Sequence, residues 1–208
     1  MNYRFLMIAI VVVLASCKKE TTYPPDSYDM PRTEGSYWVY QWSQIDSMGI
    51  AGPVLFTDTV TITGSVSLNG NTYSEYSGTH MGHPYNWLQR DSSNYIVDEH
   101  GSIRYAFYPG TILAEFDGDS NPYHHLYKMG PIETIAHPLG TFTAIDKQQI
   151  ISNLDGTPVN SCSGMTHTFH NYYVSGIGEI REETAYIGAL QSECKILRKD
   201  LISYHIVP

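Results

Sequence analysis

The sequence is short of charge, of cysteine and of long apolar runs, and each shortage removes a class of protein. Charged residues fill 16% of the 208 positions while 42% are apolar. That is too little charge for a disordered chain and enough apolar content for one folded domain, or at most two small ones. Positive charge is the scarcer sign, with 12 Lys and Arg against 21 Asp and Glu. An acidic body without a basic stripe repels phosphate backbones, which excludes nucleic-acid binding. No repeat recurs at a fixed period, which argues against propellers and solenoids. Three signatures of chemistry are also missing: Cys-x-x-Cys, His-Glu-x-x-His and Gly-x-Ser-x-Gly.

What is present begins at the amino terminus. Arg4 supplies a positive charge, Phe5 to Ala15 form an apolar run, and the run ends in Leu14, Ala15, Ser16 and Cys17. Spanning a bilayer takes about 20 apolar residues, so this shorter run reads as a cleaved export signal. The Leu-Ala-Ser-Cys ending resembles the lipobox of bacterial lipoproteins, with small residues in both positions before the cysteine. The resemblance implies that residues 1–16 are removed and that Cys17 becomes the first mature residue and carries the lipid. Several acyl chains, at about 0.8 kcal/mol per buried methylene, then anchor the protein to the membrane. Lys18 and Lys19 follow the lipid, where each is worth about 1 kcal/mol against anionic head groups. No aspartate follows Cys17 directly, which resembles the pattern of lipoproteins sent to the outer membrane. Residues 17–34 hold Pro24, Pro25 and Pro31 among polar neighbours and read as a semi-rigid tether; the folded body is expected over 35–208.

Lipidation of Cys17 leaves Cys162 and Cys194, in a compartment where disulfides persist. A Cys162–Cys194 bridge would close a loop of about 33 residues and contribute about 3 to 4 kcal/mol. Two separate buried thiols are the alternative.

The body reads as strands. Val54, Phe56, Val60, Ile62, Val66 and Leu68 alternate with threonines and serines, a period of two that predicts a strand with one buried face. Asp58 and Gly64 interrupt the apolar set, and Gly64 marks a bulge. Asn69-Gly70 supplies the two φ > 0 residues of a type I′ turn, which returns the chain over Thr72 to Tyr76 with Tyr73 opposite Val66. Further strands are expected at Tyr37 to Ser43, Tyr85 to Gln89, Asn94 to Asp98, Ser102 to Tyr108, Thr111 to Phe116 and Tyr123 to Met129. A closing three-strand meander spans Met165 to Ser175, Gly178 to Ile187 and Cys194 to Ile206. Ala144 to Leu154 is the one stretch with a helical reading, on poor apolar spacing. The sum is an all-β, antiparallel single domain: a sandwich, half-barrel or barrel. The lipobox, the opening Gly35 to Tyr40, the Asn-Gly hairpin and Tyr172 to Glu183 together resemble small β-rich bacterial lipoproteins of uncharacterised function, a likeness that implies no activity.

Several constellations invite chemistry. His80 with His83, His124 with His125, and His167 with His170 are the histidine pairs; none has the glutamates of a zinc motif, and they read as solvated loop residues. An extended segment would send His167 and His170 to opposite faces. Asp117, Asp119 and Asn121 imitate the start of a calcium loop, but Pro122 and Lys128 stand where Gly and Glu are needed, so an acidic turn is expected. Ser163-Gly164 and Ser175-Gly176 lack a nucleophile elbow, and a strand would split Asp98-Glu99 and Glu182-Glu183 between faces. The 17 tyrosines and Trp38, Trp42 and Trp87 suit sugar stacking, a cavity lining or plain core; Trp38, Tyr40 and Trp42 are expected in the core. No catalytic residue, metal or cofactor is assigned. The expectation is a non-enzymatic, lipid-anchored binding or structural module of the envelope that contacts the membrane through its lipid and takes a protein, glycan or lipid ligand. The alternatives are a carrier of an apolar lipid in a barrel cavity and a glycan-acting hydrolase.

Overall fold

The computed structural model describes residues 30–46, 48–118, 123–157, 159, 167–185 and 196–208, with side chains at all of these but His167 and Ala185. Every regular element among them is a strand. In chain order they are β1 (Tyr37–Ile45), β2 (Ala51–Leu68), β3 (Asn71–His80), β4 (His83–Ser92), β5 (Tyr95–Asp98) and β6 (Ile103–Ala106). The second half holds β7 (Ile112–Asp117), β8 (Tyr123–His137), β9 (Gly140–Asn153), β10 (His167–Val174), β11 (Gly178–Ala185) and β12 (Ile196–His205). All pair antiparallel in one 12-stranded sheet, ordered β6-β5-β4-β3-β2-β1-β12-β11-β10-β9-β8-β7.

That order is an up-and-down meander in which the first and last strands are partners. Tyr37 stands opposite His205 and Trp42 opposite Lys199 along the β1–β12 ladder. Pairing of the terminal strands curls the sheet into a nearly closed barrel, and the seam falls between β6 and β7, which approach without pairing. Of the three all-β architectures the sequence permits, the barrel is the one formed.

The expected Asn-Gly hairpin forms with φ of 52° at Asn69 and 77° at Gly70, and Val66 pairs with Tyr73. The β2–β3 register slips between Ile62 and Gly64, the expected bulge. Only the middle of β2 is buried, however: Val54, Phe56, Val66 and Leu68 remain exposed because an 18-residue strand overhangs shorter neighbours at both ends. Ala144 to Leu154 is not helical. It belongs largely to β9, whose consecutive residues Ala144, Ile145 and Asp146 are all buried. A strand covered on both faces loses the alternation that identifies strands, which is why its spacing is uninformative. β8 likewise continues past Met129, absorbing Gly130 and Pro131 in a register slip before Ile132.

Two clusters form the main core. Trp38, Tyr40, Ile62, Tyr76, Ile180 and Leu201 pack with Ile135 and Ala144 of the β8–β9 hairpin, and Ile96, Tyr105, Ala106, Met129 and Ile145 form a second group. Trp38, Tyr40 and Trp42 are buried as expected. Met30 packs against the second cluster and Pro31 is buried, so the end of the tether segment lies on the barrel wall. Cys17, Cys162, Cys194 and residues 1–16 lie outside the described residues.

Candidate functional site

The barrel holds an open-mouthed cavity of about 430 Å³ lined by residues from β1, β2, β3, β4, β6, β9, β10, β11 and β12. Alternation dictates which residues face it. On β1 the inward set is Trp38, Tyr40 and Trp42; on β12 it is Leu197, Lys199 and Leu201, each buried. Lys199 therefore stands on an otherwise apolar inward row.

The β10–β11 register explains the partners of Lys199. Asn171 pairs with Glu182 and Tyr173 with Glu179, with a slip between Tyr172 and Tyr173 that leaves Ile180 as the extra residue. This bulge turns Glu179 and Glu182, three positions apart, toward the same face. Lys199 Nζ lies 2.9 Å from Glu179 Oε2 and also contacts Glu182 Oε2. It sits 4.8 Å from the Tyr40 ring centroid and 5.4 Å from that of Trp42, within cation–π range. Burial alone would lower the Lys199 pKa, but the two carboxylates outweigh it and hold the ammonium charged. Burial pushes the Glu179 carboxyl up, while for Glu182 the same burial is overcome by Lys199 and the pKa falls.

Asp58, the residue that breaks the apolar face of β2, is also inward and 1% exposed. Trp42 Nε1–H donates to its Oδ2 at 2.6 Å, and the amides of Met81 and Gly82 donate at 2.7 and 2.9 Å. Burial raises its pKa, but these donors together with Thr79 bring it below the ordinary carboxylate value. Asp58 thereby pins the β3–β4 turn to the barrel wall.

The β3–β4 part of the cavity carries an aromatic wall. Tyr76 and Trp87 stack at 5.2 Å with ring planes 10° apart, Tyr85 continues the stack on Trp87 at 5.1 Å, and Trp38 leans on Tyr76 at 6.3 Å. Polar ends of this wall are bonded: Trp38 Nε1–H donates to the Ile177 carbonyl at 2.6 Å, the Tyr40 hydroxyl to that of Glu179 at 3.0 Å, and the Tyr76 hydroxyl to that of Pro31 at 3.2 Å. Burial pushes the Tyr76 hydroxyl up to about 12.

The histidine pairs resolve differently from the loop reading. His80 and His83 face each other across a tight turn whose central residues, Met81 and Gly82, have φ of 52° and 77°. His80 lines the cavity and packs edge-on against Trp42 at 5.3 Å. His124 lies on β8, between Asp117 Oδ1 at 2.9 Å and Glu115 Oε1 at 3.2 Å, while His125 stacks on Phe116 at 5.3 Å. His170, on β10, lies 2.9 Å from Asp146 Oδ2; the side chain of His167 lies outside the described residues. Strand placement, not solvation in loops, governs His80, His124, His125 and His170. Among the described residues no three His, Cys, Asp or Glu side chains converge on a metal position. Asp119, Asn121, Ser163 and Gly164 fall outside the described residues, and Ser175-Gly176 sits in the β10–β11 turn.

Glu182 and Glu183 are split between faces as expected, and Asp98 serves a turn by accepting from the amides of His100 and Ser102. On the face of β11 and β12 away from the cavity, Asp200 accepts from Arg181 Nε at 2.7 Å and Arg198 Nε at 2.8 Å. Sequence reasoning missed Glu179, Lys199, Lys147 and Arg104 as cavity residues. For Lys199 a signal existed, the alternation Leu197-x-Lys199-x-Leu201 placing a charge on an apolar row; for Glu179 none did, because a bulge is invisible in the pattern.

No protein-family model matches the chain. No curated protein matches it. Two solved structures are similar to it at low identity. One, from Bacteroides fragilis NCTC 9343, is provisionally described as an exported protein with a YmcC-like fold; the TM-score is 0.46 at 12% identity, covering 85% of this chain and 98% of that one. The other, from Parabacteroides distasonis ATCC 8503, is provisionally described as a lipoprotein; the TM-score is 0.45 at 15% identity, covering 85% of this chain and 97% of that one.

Proposed function

We propose that this chain is a lipid-anchored, non-enzymatic binding protein of the bacterial envelope, attached to the outer membrane through Cys17, with its ligand held inside the barrel. The observation that carries the reading is the cavity of about 430 Å³, whose lining combines the Tyr76, Trp87 and Tyr85 stack with Lys199 and its two glutamates. A concave site with aromatic faces and a few convergent polar groups is the general form of a small-molecule pocket. Its charged lining favours a ligand with a polar head over a wholly apolar lipid. Glu179 and Glu182 share the Lys199 ammonium, which supports an electrostatic role for them over the free acid and base of glycoside hydrolysis. The anchor reading rests on the lipobox, and the Cys162–Cys194 bridge on the export that the lipobox implies.

Native mass spectrometry of residues 18–208 exported to a periplasm, compared with the denatured sample before and after reduction, tests the reading. The expected result is extra mass in the native spectrum alone and a gain of two hydrogens on reduction. A bare native mass, with the cavity unfilled by any small molecule offered, would overturn the binding role. Metabolic labelling of the full chain with a fatty acid, lost in Cys17→Ala, checks the anchor.

A further inference from the structure

Among the lysines that line the cavity, Lys147 is the one whose ammonium makes no direct ion pair with a described residue. Asp58 is answered by the Trp42, Met81 and Gly82 donors, and Glu179 and Glu182 by Lys199. Lys147, inward on β9 between Met129 and Asn171 in the register, lines the same cavity, and no hydrogen bond or ion pair among the described residues reaches its ammonium. Arg104 also lines the space, tied only at 3.9 Å to Asp98 and half-exposed. An ammonium that lines a cavity without a direct hydrogen-bond partner can take one from an anion brought by a ligand. Burial lowers the Lys147 pKa, against the opposing effect of the Glu179 and Glu182 charges. In the same cavity the Tyr76–Trp87–Tyr85 stack offers flat faces on which a ring can lie.

We propose that the cavity binds a monoanionic ring compound, its carboxylate paired with Lys147 and its ring face laid on the Trp87 stack. This deepens the binding role proposed above and rests on the cavity being the ligand site. A single negative charge fits better than a dianion such as phosphate, because Glu179 and Glu182 border the space and Lys147 is the one cavity lysine without a direct ion pair among the described residues. The same chemistry occurs in a sugar acid and in an aromatic acid, and the choice of probes separates them.

The test is calorimetric titration of the full-length chain, purified in detergent, with D-glucuronate against D-glucose and with 4-hydroxyphenylacetate against its amide. The expected result is at least about tenfold tighter binding of one acid than of its neutral counterpart, a preference lost in Lys147→Gln and kept in Lys147→Arg. Both variants should melt within a few degrees of the parent, since no hydrogen bond or ion pair of the described fold depends on this ammonium. Equal affinity for acid and neutral forms, or a preference that survives in Lys147→Gln, overturns the charge assignment. In that case the cavity reading still stands if Trp87→Ala weakens the neutral probe. Binding of no probe at millimolar concentration overturns the ring-acid assignment, and the native mass then judges the cavity reading separately.

Discussion

The indole Nε1–H of Trp42 donates to Asp58 Oδ2 at 2.6 Å, joining a fully buried ring to the one charged residue on the apolar face of β2. The same carboxylate holds the Met81 and Gly82 amides, so a single acid fixes β1, β2 and the β3–β4 turn together. Asp58→Ala would strand the buried Trp42 donor and loosen two part-buried amides, and leaving a buried donor unpaired costs about 1 to 3 kcal/mol. The expected loss is about 2 to 3 kcal/mol in urea unfolding, with Asp58→Asn milder because its carbonyl still accepts. An Asp58→Ala midpoint equal to that of the parent would contradict this role.

Lys199 invites an opposite kind of test. Its ammonium pairs with both Glu179 and Glu182 inside the barrel, so Lys199→Met leaves two mostly buried carboxylates without their direct counter-ion and with the more distant Lys147 to answer them. Breaking a buried pair on one side costs about 3 to 5 kcal/mol at neutral pH. With the cation gone both folded carboxyls sit above their unfolded pKa, and a raised acid destabilises the fold at high pH and less so as pH falls. Stability of Lys199→Met should therefore rise between pH 7 and pH 5. In the parent the Lys199 contribution, from a pKa raised above 10.5, is constant over that range. Denaturation midpoints at the two pH values decide it.

Much of this barrel is legible in the amino-acid pattern, and the exceptions have physical causes. Strands with one wet face, such as β2 near Ile62 and β12, announce themselves by alternation, and Asn69-Gly70 fixes its hairpin chemically. β9 does not, because burial of Ala144, Ile145 and Asp146 in succession erases the period of two. The site is hidden for a different reason. Glu179, Lys199, Lys147 and Trp87 stand far apart along the chain and meet only when β1 pairs with β12, and Glu179 joins Glu182 only through the bulge at Ile180.

His170 carries a pH dependence of definite sign. Its Nδ1 lies 2.9 Å from Asp146 Oδ2, and that hydrogen bond raises its pKa above the ordinary 6.5 against the opposing effect of burial. A base whose pKa is raised in the fold contributes stability below its unfolded pKa and loses it as pH rises through the folded value. The contribution should be complete below about pH 6.5 and fade above it. Proton NMR should place the His170 titration above 6.5 and find it shifted down in Asp146→Asn, with a flatter stability profile over the same window.

Two glycines separate close approach from backbone conformation. Gly78 pairs with Val60 on one side and Tyr85 on the other, and a Cβ there would sit 2.9 Å from Val60 Cα and nearer still to the Thr59 carbonyl. The β2 backbone cannot yield without shifting a ladder, so Gly78→Ala should cost about 2 to 3 kcal/mol and disturb the β2–β3 register that places Asp58 and Tyr76 on the cavity. Gly101 has open space around its Cβ position but a φ of +83°, so Gly101→Ala carries only the left-handed backbone cost, about 1 to 2 kcal/mol. Thermal melts should rank Gly78→Ala below Gly101→Ala, and the quenching of Trp87 fluorescence by a cavity ligand should weaken in Gly78→Ala alone. A Gly101→Ala melt as low as that of Gly78→Ala would mean that contact with β2 is not what selects glycine at position 78.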